Sequence, residues 1–144
     1  MIRRWIAVLV LATVPVLATM GTATAADTVK KVVLQISDAG EDKQTLVLNV
    51  ANNLQTHYGI DNVKIEIVAF GPGLRLLFKD NVNTNRIAAL TQGGVRFSAC
   101  ENTVKGMAKQ LGYEPRLNQN AVSVPAGIVR ISELSEQGYL LVRP

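Results

Sequence analysis

The chain has one cysteine and one histidine in 144 residues. A lone thiol excludes an intrachain disulfide scaffold, and beside a single imidazole it leaves too few ligands for an intrachain zinc centre. No metal site and no cofactor is therefore expected. Aromatic residues make up 5% of the chain, and no Lys/Arg cluster is interleaved with them. The sequence thus offers neither the basic stripe nor the stacking platform of a nucleic-acid binder, and nucleic acid is not an expected partner. Charge of either sign is sparse, with 15 Lys+Arg against 11 Asp+Glu, so the formal +4 reflects a small imbalance rather than a basic patch. No repeat, low-complexity tract or internal linker interrupts the chain. The Gly71-Pro72-Gly73 stretch has neither the lysine nor the spacing of a phosphate-binding loop.

What is present begins with a targeting pattern. Arg3 and Arg4 precede an apolar stretch from Trp5 to Leu17, broken only by Thr13 and Pro15, and Ala23-Thr24-Ala25 fits a small-x-small cleavage site. The expectation is a signal peptide over residues 1–25 and a single domain over 26–144, periplasmic or otherwise exported, with no stable membrane insertion after cleavage. An uncleaved anchor is the rival reading, since no charge occurs from Trp5 through Ala26. The Thr-, Gly- and Ala-rich second half of that stretch argues for cleavage.

The remainder alternates strand and helix. Lys31–Ile36 reads as a strand apolar on both faces, as a strand between two helical layers must be. Glu41–Tyr58 carries Val47, Val50, Ala51, Leu54 and Tyr58 at helical spacing, with acidic residues in its first turn and Gly59 as its stop. Val63–Phe70 is a second strand, followed by a sharp turn at Gly71–Gly73 and a short helical turn over Leu74–Phe78. Arg86–Thr91 has a modest helical pattern. Val95–Ala99 is a third strand, and Glu101–Leu111 a helix. Ala121–Val124 is a fourth strand after a polar connection. Ile128, Ile131 and Leu134 mark a last helix, and Tyr139–Val142 a last strand. Strands alternating with helices predict an α/β domain with a five-stranded parallel sheet and helices on both faces.

In such sheets, sites form beyond the C-terminal ends of the strands. Four loops would gather there: Ser37–Gly40, Gly71–Gly73, Cys100–Asn102 and Pro125–Gly127. Cys100, at a strand-to-helix junction, faces the free N–H groups of a helix's first turn, which favour thiolate over thiol. It is the candidate catalytic residue. Asn102 is a candidate hydrogen-bond donor to it. Asp38, Gly71, Gly73 and Arg75 are candidate substrate-binding residues, Arg75 for an anion such as thiosulfate. The plain alternatives are an inert buried thiol at Cys100, a helix cap at Asp38 and a mere turn at Gly71–Gly73. Glu101 opposes activation, because an adjacent carboxylate raises a thiol pKa. His57 falls at the far end of the first helix, which disfavours a Cys–His hydrolase. Gly106, inside a helix, is expected to mark close approach of another backbone.

Taken in order, Lys31–Ile36, Ala69-Phe70-Gly71-Pro72-Gly73, the run from Gly94 to Thr103, Val124–Val129 and Gln137-Gly138-Tyr139 resemble the DsrE/DsrF-like family of small sulfur-handling proteins, which includes the YchN-type proteins. The resemblance covers nearly all of residues 26–144. It implies a three-layer α/β/α domain, homotrimers or homohexamers, and a persulfide carried on the position of Cys100, with a separate protein as sulfur donor or acceptor. Sulfurtransferase activity is one expectation. The alternative is an oligomeric small-ligand-binding or scaffold module of the same fold without persulfide chemistry. The leader sets this chain apart from the known relays of that family, which are cytoplasmic.

Overall fold

The computed structural model describes residues 29–144; the expected signal peptide, its cleavage site and the start of the mature chain at Ala26 lie outside the described residues. The elements run β1 (Lys30–Ile36), α1 (Glu41–Tyr58), β2 (Val63–Ala69), a 3-10 helix (Gly71–Leu77), α2 (Thr84–Gln92), β3 (Arg96–Cys100), α3 (Glu101–Leu111), β4 (Ala121–Val124), α4 (Gly127–Glu136) and β5 (Leu140–Val142). All strand pairs are parallel, in the order β4-β3-β2-β1-β5. This is the expected α/β fold with a five-stranded parallel sheet.

The strand order dictates the layers. From β1 to β4 each step moves to the next strand in one direction, so right-handed crossovers place all their connections on one face. The return from β4 to β5 runs the other way and must cross the opposite face. Packing follows this plan. Val32, Leu34 and Ile36 of β1, Ile65 and Ile67 of β2, and Phe97 and Ala99 of β3 form the main core with Val47, Leu48 and Ala51 of α1, Ile87 and Leu90 of α2 and Val104 of α3. The alternate residues Val33 and Val68 meet Ile131 and Leu134 of α4 in a much smaller second core, edged by Phe70 and Tyr139. The sheet thus has helices on both faces, and among the described residues α4 alone covers the second.

Three local differences from the sequence expectations have simple causes. The Gly71-Pro72-Gly73 stretch is the opening turn of the 3-10 helix rather than a separate sharp turn, with proline at its start, where a missing N–H costs nothing. The strand holding the thiol runs one residue further, so Cys100 ends β3 and caps α3. The polar connection after Gly112 is pinned rather than loose. Phe78 bridges Leu117, the Asn118 N–H donates to the Leu77 carbonyl at 2.8 Å, and the Lys79 N–H donates to that of Arg116 at 2.9 Å.

Gly73 is buried, and a Cβ placed there would overlap the Ile36 carbonyl group and sit 2.8 Å from Ser37 Cα. Its small size lets the 3-10 helix press against the end of β1. Gly106 differs: nothing in the described chain lies within 4 Å of where its Cβ would be. Gly73→Ala is therefore expected to cost about 1–3 kcal/mol of stability through overpacking against backbone. Gly106→Ala is expected to gain about 1 kcal/mol of helix propensity. Urea unfolding of both variants checks this, and a loss at Gly106→Ala would mean that another backbone packs there in the assembled protein.

Candidate active site

Alternation along β3 turns Phe97 and Ala99 into the main core, so Ser98 and Cys100 point to the face covered by α4. Cys100 is paired in register with Val124, which is also buried, and is itself 5% exposed. The thiol is thus more enclosed than its polar neighbours suggest. Glu101, Asn102 and Thr103 open α3 and lie half-buried or exposed, while the last strand residue turns inward.

Cys100 is the N-cap of α3, and its neutral side chain closes no capping hydrogen bond. Donors surround it nonetheless. Burial by itself would raise the thiol pKa, but the Thr103 hydroxyl and the backbone N–H groups of Gly127, Thr103 and Asn102 outweigh it, and the net shift is downward. Asn102 and Thr103 belong to the first turn of α3, whereas Gly127 is the first residue of α4. The sulfur therefore lies where two helix N-termini converge, and both partial positive ends favour the anion. The opposing carboxylate does not prevail: Glu101 is directed to Lys105, with Oε2 3.7 Å from Nζ.

Thr103 ties this site to the glycine stretch. Its Oγ1 accepts the Gly71 N–H at 2.9 Å, which leaves its own O–H free to donate to sulfur. Gly71 has φ +53°, a conformation glycine adopts without penalty, and that conformation presents its N–H here. The Asn102 N–H also donates to the Pro125 carbonyl at 3.3 Å, linking the cap of α3 to the loop before α4. Gly127 permits the approach of α4, since a Cβ there would stand 3.0 Å from the Phe70 side chain.

The structure sorts the residues singled out from the sequence. Cys100 and Gly71 meet through Thr103. Asn102 takes part through its backbone, while its side chain is exposed. Gly73 is a close-packing residue. Arg75 is exposed, makes no ion pair among the described residues, and lines a cleft of about 460 Å³ with Gly71, Phe78, Thr103, Met107 and Tyr113. Asp38 is exposed and bonds its own loop, accepting the Gly40 N–H at 2.8 Å, and is not the cap of α1, which is Gly40. His57 is exposed in the last turn of α1, away from the strand ends that carry Cys100. No group of three or more His, Cys, Asp or Glu side chains suited to a metal occurs among the described residues.

Sequence reasoning missed two features. One is Thr103 itself, although its spacing of three from the cap residue is that of a side chain able to reach the helix entrance. The other is Glu66, 3% exposed on β2, beside Ser98 on the same face. Its oxygens accept from Arg130 Nε and Nη2 of α4, both at 2.8 Å, and from Ser98 Oγ at 2.6 Å, with Arg96 Nε at 3.6 Å. This bidentate pairing holds the Arg130 guanidinium above its ordinary pKa.

No protein-family model matches the chain, and no curated protein matches it. A solved structure of a protein of unknown function, MTH1491 from Methanobacterium thermoautotrophicum, is similar, with a TM-score of 0.72 and 28% identity. The match covers 80% of this chain and 99% of that one. The likeness supports the fold and brings no activity with it. No helix among the described residues is long and apolar enough to cross a membrane.

The donor set generates a direct expectation. Because the folded thiol ionises below its ordinary pKa, alkylation of Cys100 should persist to lower pH than that of a free thiol and fall as pH drops through the lowered value. Thr103→Val removes the hydroxyl donor and should move that midpoint upward, slowing alkylation near neutral pH roughly three- to tenfold, the effect expected for loss of a hydrogen bond to an anion. Thr103→Ser should keep it. A pH series of iodoacetamide rates on the three proteins measures this.

Proposed function

We propose that this chain is an exported, DsrE-like sulfur carrier that holds sulfane sulfur as a persulfide on Cys100. One observation carries the reading: the chain's sole thiol is the N-cap of α3 and is paired in register with Val124, three residues before the start of α4, so it lies where two helix N-termini come together, and its pKa is shifted downward there. Such a setting favours a nucleophilic thiolate and would equally stabilise a terminal persulfide anion.

The reaction is a transfer of neutral sulfur. The Cys100 thiolate attacks the outer sulfur of a donor R–S–SH, forming a Cys100 S–S bond. The donor's S–S bond breaks, and its electron pair leaves with R–S⁻. The proton remains on the transferred sulfur, so charge balances and no external oxidant or reductant is consumed. Release is the same step in reverse, with an acceptor thiolate in place of R–S⁻. The chain has no second cysteine, so that acceptor is another molecule, and a donor or acceptor protein is the proposed partner. Whether turnover makes the protein a sulfurtransferase depends on those partners.

Self-association belongs to the proposal. Val122 of β4, Ile128 and Val129 of α4, and Leu140 and Leu141 of β5 are exposed. A homotrimer or homohexamer would cover apolar surface of this kind. The second reading, an oligomeric small-ligand or scaffold module, draws on the 5% exposure of Cys100 and the cleft beside Arg75.

Intact mass of the exported protein, before and after polysulfide or thiosulfate, separates the two. The expected result is a gain of one or more sulfur atoms on the wild type, reversed by reductant and absent in Cys100→Ser, with the assembly intact in both. No gain on a demonstrably free Cys100 would remove the carrier reading for those donors and leave the binding module. The untreated sample also locates the leader cleavage.

A further inference from the structure

Glu66 and Arg130 are not needed to explain the fold's main core, yet they form a buried, bidentate, doubly charged contact on the face that carries the thiol. We infer that this ion pair is a positioning device for Cys100: it holds the first turn of α4, which opens with Gly127, against the strand end that carries the sulfur. The inference rests on the reading of Cys100 as a functional thiolate.

The geometry connects the two ends in few steps. Arg130 is three residues beyond Gly127, and its backbone N–H donates to the Ala126 carbonyl at 3.0 Å, closing the turn that contains Gly127. Its guanidinium grips both oxygens of Glu66 at 2.8 Å. Glu66 is fixed in turn by the Ser98 hydroxyl at 2.6 Å, and Ser98 is two residues before Cys100 on the same face of β3. The path runs from the sulfur's own strand through Ser98, Glu66 and Arg130 to the start of α4, and the segment just before that helix returns to the sulfur, with Val124 paired to Cys100 and the Pro125 carbonyl accepting the Asn102 N–H. Of the first four residues of α4, Gly127 packs on Phe70 while Ile128 and Val129 are exposed, and the apolar anchors Ile131 and Leu134 follow Arg130. A planar fork on a carboxylate sets direction as well as distance, which a point charge does not.

Charged groups on the elements around the thiol are Glu101, Lys105 and Lys109 of α3, Lys64 and Glu66 of β2, Arg96 of β3, Arg130, Glu133 and Glu136 of α4, and Arg75 of the 3-10 helix. Glu101 is matched by Lys105 at 3.7 Å and Glu133 by Arg130 at 3.4 Å. The pair is therefore separable from simple electrostatics by sign. Through space, removing Arg130's positive charge raises the thiol pKa, and removing Glu66's negative charge lowers it. A positioning device gives the same sign for both.

The test measures the pH midpoint of Cys100 ionisation, by thiolate absorbance and iodoacetamide rate, in the full chain and in Glu66→Gln and Arg130→Met. Glu66→Gln keeps the shape and a bond to Ser98, so it is the variant best placed to fold. The expected result is an upward shift in both, with alkylation near neutral pH slowed roughly three- to tenfold. Arg130→Lys should recover only part of that loss. In amide NMR, Gly127, Thr103 and Asn102 should all titrate with the wild-type thiol, and Glu66→Gln should uncouple Gly127 while Thr103 still responds. Opposite shifts in the two variants, no shift in either, or a wild-type Gly127 amide that ignores the thiol would each overturn the inference. A wild-type midpoint at or above that of an ordinary thiol would instead overturn the functional thiolate itself. No sulfur donor enters the experiment, so failure of persulfide loading leaves its outcome unaffected.

Discussion

A chain that builds four strands in one direction and then adds its last strand beyond the first has to send one helix back across the whole sheet. That single return, α4, is what the site depends on. It brings a second helix N-terminus toward a cysteine that already begins α3, and it closes over a face that no other helix among the described residues covers. Were the fifth strand added beyond β4 instead, α4 would join the crowded face and the sulfur would meet one helix end. The strand order therefore determines the electrostatics of Cys100 before any side chain is chosen.

Covering one face of a five-stranded sheet with a ten-residue helix leaves a small core, and here part of it is polar. Burying a carboxylate is costly unless it is paired and its remaining lone pairs are filled. Glu66 meets both conditions through Arg130 and Ser98, and no buried side-chain polar atom among the described residues lacks a partner. Such a pair contributes little net stability against an apolar replacement, but breaking it by removing one partner costs about 3–5 kcal/mol. What it supplies is direction: a helix seated by two parallel hydrogen bonds has less freedom to slide than one seated by aliphatic contacts alone.

The layers were legible in the sequence because they rest on patterns that a single chain displays. Runs apolar on both faces meant buried parallel strands, and helical stripes such as Val47, Ala51 and Leu54 meant helices between them. The convergence of Gly71, Cys100 and the Pro125–Gly127 loop followed from those assignments together with the parallel-sheet rule. What could not be read was the partnership of single atoms. Glu66 in Val63–Ala69 looks like an outward polar residue of an alternating strand, and only the landing of α4 buries it. Arg75 and Asp38 are charged residues near the right edge, yet nothing in their spacing tells that one lines a cleft and the other bonds its own loop. Thr103 was visible as an N3 residue, but its double role needs the φ of Gly71, which is a tertiary fact.

The enclosure of the thiol has a consequence for its chemistry. Cys100 is 5% exposed at the C-terminal end of β3, so little of it is open to an incoming group. Attack by its thiolate on a sulfur atom needs roughly linear access to that sulfur, so a terminal sulfane sulfur on an extended donor fits better than a disulfide flanked on both sides. Were a persulfide carried on Cys100, as proposed, the absence of a second cysteine would mean that no intrachain thiol could strip it off as a disulfide. Under the proposal of an exported carrier, where oxidants act on open thiols, a thiol shifted toward its anion yet closed would reconcile reactivity with survival. The two helix ends supply the first property and the helix that crosses the face supplies the second.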